Sequence, residues 1–189
     1  MKRLSLFLLP LFVSALPAVA DDFAPTLEAY LTSDIAGWAN DPVLVAAIVA
    51  QNAGTAGYDQ ARIDSLDQDW KDSVGAGGSE LISGVLQNPA ADFLRGKVEA
   101  AGGKITEVFI TDARGLNVAA TDATSDYWQG DEDKFAKVFP APDGKFIAEV
   151  ELDESTQRYQ GQVSMTVVDP ATGQAVGTLT VGVDAESLM

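Results

Sequence analysis

The sequence predicts an α+β domain in which long N-terminal helices cover a roughly five-stranded antiparallel sheet. Two changes along the chain support this prediction. Apolar residues recur at helical spacing up to residue 101, whereas several segments after residue 104 have the alternation and composition of β-strands. The glycine pair at 102–103 lies between the two patterns, where a helix is expected to end. We therefore expect one domain with a helical part at residues 21–103 and a sheet part at residues 104–189.

Three segments of helical spacing make up the first part. They lie at residues 25–50, 58–70 and 79–101. The sequence NDP predicts a break and a restart within the first segment, because Pro42 suits the first turn of a helix and Asp41 can cap it. Pro89 interrupts the last segment. We expect Trp38 and Trp70 to be core residues that pack helices on the sheet.

Five runs with strand character make up the second part. They lie at residues 105–111, 116–121, 145–154, 158–169 and 175–184. The turns between them are predicted at 112–115, in DEST and in DPATG, all rich in turn-forming residues. Asp112 and Asp169 stand at the ends of strands beside such turns, so a turn-capping role is the default for both. The second and third runs are joined by a long crossing.

Residues 1–20 have the features of a secretory signal peptide. Lys2 and Arg3 precede an apolar run at 4–13, and Ala-Val-Ala at 18–20 provides the small residues of a cleavage site. Cleavage near Ala20 would take the formal net charge from −16 to −18, because it removes two cations and no acid. The expected location is the periplasm, and no membrane anchor is expected because the apolar run is shorter than a spanning helix.

Composition excludes several kinds of function. The strong negative charge argues against nucleic acid as a partner, because phosphate neutralisation dominates such binding. The chain contains no histidine and no cysteine, which excludes Ser-His-Asp and Cys-His catalysis, ordinary zinc sites and disulfides. It also has no nucleotide-binding fingerprint. We expect no cofactor, no metal site and no catalytic residue.

The crossing carries the sequence TDATSDYWQGDEDKF at residues 121–135, which has several possible interpretations. A calcium loop is excluded by spacing, since Phe135 falls where an oxygen ligand is required. Asp126 and the acids at 131–133 are interpreted first as a solvated turn, and a hydrolytic carboxylate pair is the less favoured alternative. Tyr127 and Trp128 either plug the edge of the core or line a ligand pocket, because aromatic rings with a polar group suit both positions.

Asp184 also has two interpretations. It ends a strand in which Leu179, Val181 and Val183 should face the core, so Asp184 shares the opposite face with Thr180. That face is either exposed to solvent or forms a pocket wall.

Four stretches together resemble the Cache family, the PAS-like extracytoplasmic sensor domains of bacterial chemoreceptors and sensor kinases. They are the helical lead IAGWANDPVLVAAI, the strand-turn-strand FITDARGLNVAAT, the crossing SDYWQGDEDKF and the closing hairpin VSMTVVDPATGQAVGTLTVGVD. The resemblance implies a pocket for a small organic ligand between the sheet and the crossing. The residues implied to bind ligand are Tyr127, Trp128, Lys134, Phe135, Ser164, Thr166 and Asp184.

The resemblance also bears on the ligand. In members that bind amino acids, a cation of the crossing holds the carboxylate and an acid late in the last strand holds the amine. Asp184 matches that acid, whereas acids at 131–133 occupy the region of the cation and leave Lys134 as its nearest substitute. An amine, another cation or an uncharged solute is therefore as plausible a ligand as an amino acid.

Family members usually continue into a membrane helix, whereas this sequence ends five residues after Asp184. We therefore expect a free-standing periplasmic sensor module without catalysis, which signals through a partner such as a membrane sensor kinase or chemoreceptor. The alternative hypotheses are a domain that docks on a membrane sensor with a vestigial pocket, and a carboxylate-dependent hydrolase.

Overall fold

The computed structural model describes residues 23–74, 76–153 and 158–189. The predicted signal peptide and most of the predicted DEST turn lie outside these ranges. The described residues form six α-helices and six β-strands. The helices are α1 (Ala24–Tyr30), α2 (Pro42–Thr55), α3 (Gln60–Ser73), α4 (Glu80–Leu86), α5 (Pro89–Ala100) and α6 (Asp133–Ala136). The strands are β1 (Ile105–Thr111), β2 (Asn117–Ala120), β3 (Lys145–Ile147), β4 (Glu151–Asp153), β5 (Arg158–Asp169) and β6 (Gln174–Asp184).

The helix starts follow from local sequence. The predicted restart at Pro42 is confirmed: α2 begins there, and the Asp41 carboxylate accepts a hydrogen bond from the Val43 N–H at 3.0 Å. The predicted interruption at Pro89 is also confirmed, because α4 ends before it and α5 begins at it. Asn88 caps α5 by accepting from the Ala91 N–H at 2.9 Å. A π-helical turn extends α1 to residue 35, and a 3₁₀ turn follows β6.

All strand pairs are antiparallel, and the path across the sheet is β2-β1-β6-β5-β3, with β4 also paired to β5. The predicted α+β architecture is confirmed. The predicted strand at 145–154 is divided in two by an irregularity in its pairing. Ala148 N–H donates to the Gln162 carbonyl, while Glu151 stands opposite Gln160, so two residues face Gly161 alone. This extra residue is a β-bulge.

One sheet face packs on α1, α2 and α5. Its core includes Leu27, Ile48 and Leu94 from these helices, all fully buried. Helices α3 and α4 contribute to a second core with Phe109, Leu116 and Tyr127 on the opposite side of the sheet. Trp70 is fully buried in this second core, and Trp38 is a partly buried neighbour of the first.

None of the helices in the described ranges is both long enough and apolar enough to cross a membrane.

Candidate functional site

The candidate site is the sheet face opposite α1, α2 and α5, which we call the second face. Cross-strand pairing arranges its side chains in rows. We number three rows from the β1–β2 turn. The upper row is Thr111, Thr178 and Thr166; the middle row is Phe109, Thr180, Ser164 and Phe146; the lower row is Glu107, Gly182 and Gln162.

The strand β6 shows how the two faces differ. Every residue from 177 to 184 is buried, so the strand is covered on both sides. Leu179 and Val181 belong to the first core. Thr178 and Thr180, which alternate with them, point hydroxyls into the second face and are each 1% exposed. The second face is therefore covered but polar.

The hydroxyls of the upper and middle rows are paired across strands. Thr111 and Thr178 hydroxyls lie 2.7 Å apart, and those of Ser164 and Thr180 lie 2.9 Å apart. The Thr166 hydroxyl donates to the Ala141 carbonyl at 2.6 Å. Ser164 and Thr166, both predicted site residues, thus lie on the buried second face, and Thr166 ties β5 to the segment that covers it.

That cover is the crossing, which we define as residues 121–144. Its start runs alongside the β1–β2 turn, where the Asn117 N–H donates to the Tyr127 carbonyl at 2.9 Å and the Gln129 N–H donates to the Gly115 carbonyl at 2.7 Å. Gly115 has a φ of +80°, and a Cβ there would lie 2.6 Å from the Gly130 backbone. Only glycine therefore permits this close approach.

Helix α3 holds the crossing through one carboxylate. Asp67 Oδ1 accepts hydrogen bonds from the Tyr127 N–H at 2.9 Å and the Trp128 N–H at 3.0 Å. Its Oδ2 lies 2.7 Å from Lys71 Nζ, which also lies 2.6 Å from Asp126. The hydrogen bonds that the Lys71 ammonium donates to Asp126 and Asp67 raise the pKa of Lys71 above its ordinary value. Burial acts to raise the pKa of Asp126, but the Lys71 hydrogen bond and other contacts outweigh it and lower that pKa.

Tyr127 and Trp128, the adjacent aromatics, occupy different environments. Tyr127 is 5% exposed and stacks on Trp70 with ring centroids 5.6 Å apart. Burial, and then the negative charge of Asp112, raises the pKa of Tyr127, so its phenol stays neutral. Trp128 is only partly buried, and its Nε1 donates to the Arg114 carbonyl at 2.8 Å. Trp128 thus packs on the β1–β2 turn and against the second core.

Lys134 and Phe135 lie in α6, at the other end of the crossing. Lys134 Nζ lies 5.4 Å from the centre of the Phe109 ring, in the middle row, and 2.9 Å from Glu132. Its side chain is only 15% exposed. Phe135 stacks on Phe139 with centroids 5.4 Å apart and is partly buried. The structure thus brings Lys134 to the second face.

Asp184 is fully buried at the end of β6. Its Oδ1 accepts hydrogen bonds from the N–H groups of Glu186 and Ser187, which begin the 3₁₀ turn. Its Oδ2 lies 2.5 Å from Arg158 Nη1, an ion pair that is not a well-aligned hydrogen bond. The carboxylate is therefore already engaged, and its role in binding an amine stays a prediction.

Two buried amides of the second face, Asn117 and Gln129, were not predicted as site residues. They are 0% and 1% exposed. Each has a side-chain oxygen without a hydrogen-bond partner. No local pattern distinguishes them in the sequence, because their burial depends on the crossing folding back over β2.

The lower row opens into a cleft of about 410 Å³ at the other end of the face. Its lining includes Glu107, Glu149, Glu151 and Gln162. Gly182 forms part of the floor, and a Cβ there would lie 2.6 Å from Glu107 Cγ. In the ranges that the structure describes, no group of three carboxylates is arranged to hold a metal ion. The cleft is accessible and acidic, whereas the upper and middle rows are covered.

No family model and no curated protein matches the chain. The solved structures that resemble it include the sensor domain of the V. cholerae histidine kinase DctB (TM-score 0.43, 15% identity, covering 89% of this chain and 54% of that one). They also include the ligand-binding domain of the Campylobacter jejuni chemoreceptor Tlp3 with 4-methylisoleucine (TM-score 0.42, 11% identity, covering 85% and 64%). A third is the ligand-binding domain of the Pseudomonas aeruginosa amino acid chemoreceptor PctC with GABA (TM-score 0.42, 21% identity, covering 64% and 55%).

The chain spans between about half and two thirds of the length of these solved domains. All three come from sensor kinases or chemoreceptors. The helices on an antiparallel sheet agree with the PAS-like fold expected of the Cache family. The fold and the site described above rest on the geometry of this chain alone.

Proposed function

We propose that residues 21–189 form a periplasmic sensor module that binds a small organic molecule on the second face, beneath the crossing, without catalysis. The observation that carries this proposal is the chemistry of β6. A strand buried on both faces is expected to be apolar on both, as its first face is. Its second face instead presents Thr178 and Thr180, opposite the hydroxyls of Thr111 and Ser164. A covered polar surface suits a site that binds a ligand by a few directed hydrogen bonds.

The crossing is the segment that would pass the signal of ligand binding to a partner protein. It contacts the second face through Lys134, and it is tied to α3 through Asp67. A ligand that inserts between sheet and crossing would move these attachments, and a membrane sensor kinase or chemoreceptor would detect the change. Periplasmic location is supported by the signal peptide predicted at residues 1–20.

Thermal-shift screening of the purified chain against amines, amino acids, carboxylates and purines tests the proposal. A ligand should raise the melting temperature in proportion to its affinity and concentration. The double variant Ser164→Ala/Thr180→Val removes both paired hydroxyls together, so that neither is left buried and unpaired. We expect this variant to fold and to lose the response.

The control is Thr32→Val, which changes an exposed hydroxyl of the N-terminal helical segment. It should keep the response of the unmodified chain. A response that survives the double variant unchanged would place the ligand elsewhere, and a chain that responds to no compound would contradict the proposal.

A second candidate function is supported by one specific observation. Four hydroxyls of the upper and middle rows pair with one another and the fifth, that of Thr166, donates to the Ala141 carbonyl, so these rows are closed without any ligand. The chain could then act as a docking domain for a membrane sensor, with a vestigial pocket. In that case affinity capture with the full chain should retain the same partner whether or not a compound from the screen is added.

A further inference from the structure

The side-chain amides of Asn117 and Gln129 are fixed in orientation by one shared acceptor. Asn117 Nδ2 and Gln129 Nε2 both donate to the Asp126 carbonyl, at 3.0 and 2.7 Å. Asn117 Nδ2 also donates to the Thr124 hydroxyl at 2.7 Å. A backbone carbonyl can only accept, so exchanging nitrogen and oxygen in either amide would set two acceptors against each other. The side-chain oxygens must therefore point away from Asp126.

Both oxygens are buried without a hydrogen-bond donor. Native proteins rarely leave such groups unpaired, because each loses its hydrogen bonds to water on burial. The two oxygens can therefore still accept hydrogen bonds, so they suit a ligand group that donates them. A carboxylate or phosphate would offer only further acceptors.

The surrounding charge favours a positively charged donor. Asp112 is fully buried, and Gln51 Nε2 bridges its carboxylate and the Asn117 carbonyl, at 3.2 Å from each. Asp112 accepts further hydrogen bonds from Thr55 and two backbone N–H groups. Within the described part of the chain it forms no ion pair, unlike Asp67 and Asp126, which share Lys71. A buried negative charge without a cation stabilises a cation nearby.

We propose that the side-chain oxygens of Asn117 and Gln129 bind the ammonium group of a small organic amine. This inference rests on the proposed function, that a small molecule binds on the second face. A primary ammonium supplies several N–H donors from one atom and adds the charge that Asp112 favours. Hydrogen bonds to a charged partner are also stronger than neutral ones.

The test uses the full chain and a series of unbranched primary amines, ethylamine to hexylamine, each compared with the alcohol and the carboxylate of the same length. Binding is followed by thermal shift and by the NMR signals of the Asn117 and Gln129 side-chain NH₂ groups. We expect amines to raise the melting temperature and to move both signals, and the matched alcohols and carboxylates to do neither.

Gln129→Met keeps the shape of the side chain and removes its acceptor, so amine affinity should fall about tenfold or more. Gln68→Met is the matched control, because Gln68 is an exposed glutamine on α3 that bonds only to Asp72 among the described contacts. It should leave amine affinity unchanged. If Gln129→Met does not fold, the two NH₂ signals of the unmodified chain still decide the question.

Three results would overturn the inference while the proposed function stands. They are equal movement of the NH₂ signals by alcohols or carboxylates, equal amine affinity in the two glutamine variants, and an ordered water alone at the two oxygens in a crystal grown with the amine. Failure of the proposed function itself would differ, since no compound in the wider screen would then raise the melting temperature.

Discussion

Replacement of Asp67 by alanine is expected to release the crossing from α3. The carboxylate accepts the N–H groups of Tyr127 and Trp128 at 2.9 and 3.0 Å, and its side chain is only 14% exposed. Hydrogen bonds to a charged acceptor contribute about 1.5 to 3 kcal/mol each. With a discount for partial exposure, the variant should lose about 3 kcal/mol of a total unfolding free energy of about 5 to 15 kcal/mol.

Two further variants separate the causes of this loss. Asp67→Asn keeps an oxygen acceptor but removes the ion pair with Lys71, so it should lose about half as much. Asp64→Ala removes an exposed carboxylate of the same helix, which accepts only from Gln60 among the described contacts. That control should change the unfolding free energy by about 0.5 kcal/mol or less.

Urea unfolding measures the free energies, and hydrogen exchange reports the local effect. In Asp67→Ala the amides of Tyr127 and Trp128 should lose protection before the strand β6 does. The reasoning would be refuted if Asp67→Ala matched Asp64→Ala in stability, with the Tyr127 and Trp128 amides as protected as before.

Two other predictions concern the same crossing. The pKa of Asp126 is lowered from its ordinary value of 3.8, so its stabilising contribution is present above about pH 4 and is lost as the pH falls through the lowered value. In Lys71→Met the free energy of unfolding should therefore fall less between about pH 6 and pH 3 than in the unmodified chain. Urea unfolding measures this change, and an unchanged pH dependence would contradict the prediction. Gly115→Ala should lower the free energy of unfolding by about 2 kcal/mol or more, because its Cβ would strike Gly130. The control Gly173→Ala has a similar φ of +71° and no atom within 4 Å of the added Cβ, so it should lower that free energy by about 1 kcal/mol. Thermal unfolding measures both variants, and equal losses would show that the close approach does not matter.

The elements that could be predicted from sequence are those set by local chemistry. Pro42 and Asp41 predict the start of α2 because a helix needs a cap and tolerates proline in its first turn. The alternation in the last strand likewise places Thr180 on the face opposite Leu179. Neither depends on distant parts of the chain.

The features that could not be predicted depend on partners far away in sequence. The division of the predicted strand at 145–154 arises from its register against β5, and a single sequence does not fix that register. The sequence leaves open whether Trp128 lines a pocket or plugs the edge of the core. It does not show that the indole bonds to the β1–β2 turn, which depends on the crossing folding back along that turn. Asn117 and Gln129 become neighbours only through the same fold-back.

The engagement of Asp184 has the same origin. Its position at the end of the last strand could be predicted, but the ion pair with Arg158 requires β5 and β6 to be paired in the observed register. A carboxylate that caps a turn and meets a cation can stabilise the domain as well as bind a ligand. Sequence alone gives no means to choose between these roles.

The central claim, that ligand binds on the second face, is tested most directly by methyl NMR of β6 with the compound that most raises the melting temperature. Thr178 and Thr180 place their methyl groups on the second face, whereas Val181 and Val183 place theirs in the first core. We predict large shifts of the two threonine methyl signals and small shifts of the valine signals. Shifts confined to the valines, or absent from both pairs, would contradict the claim.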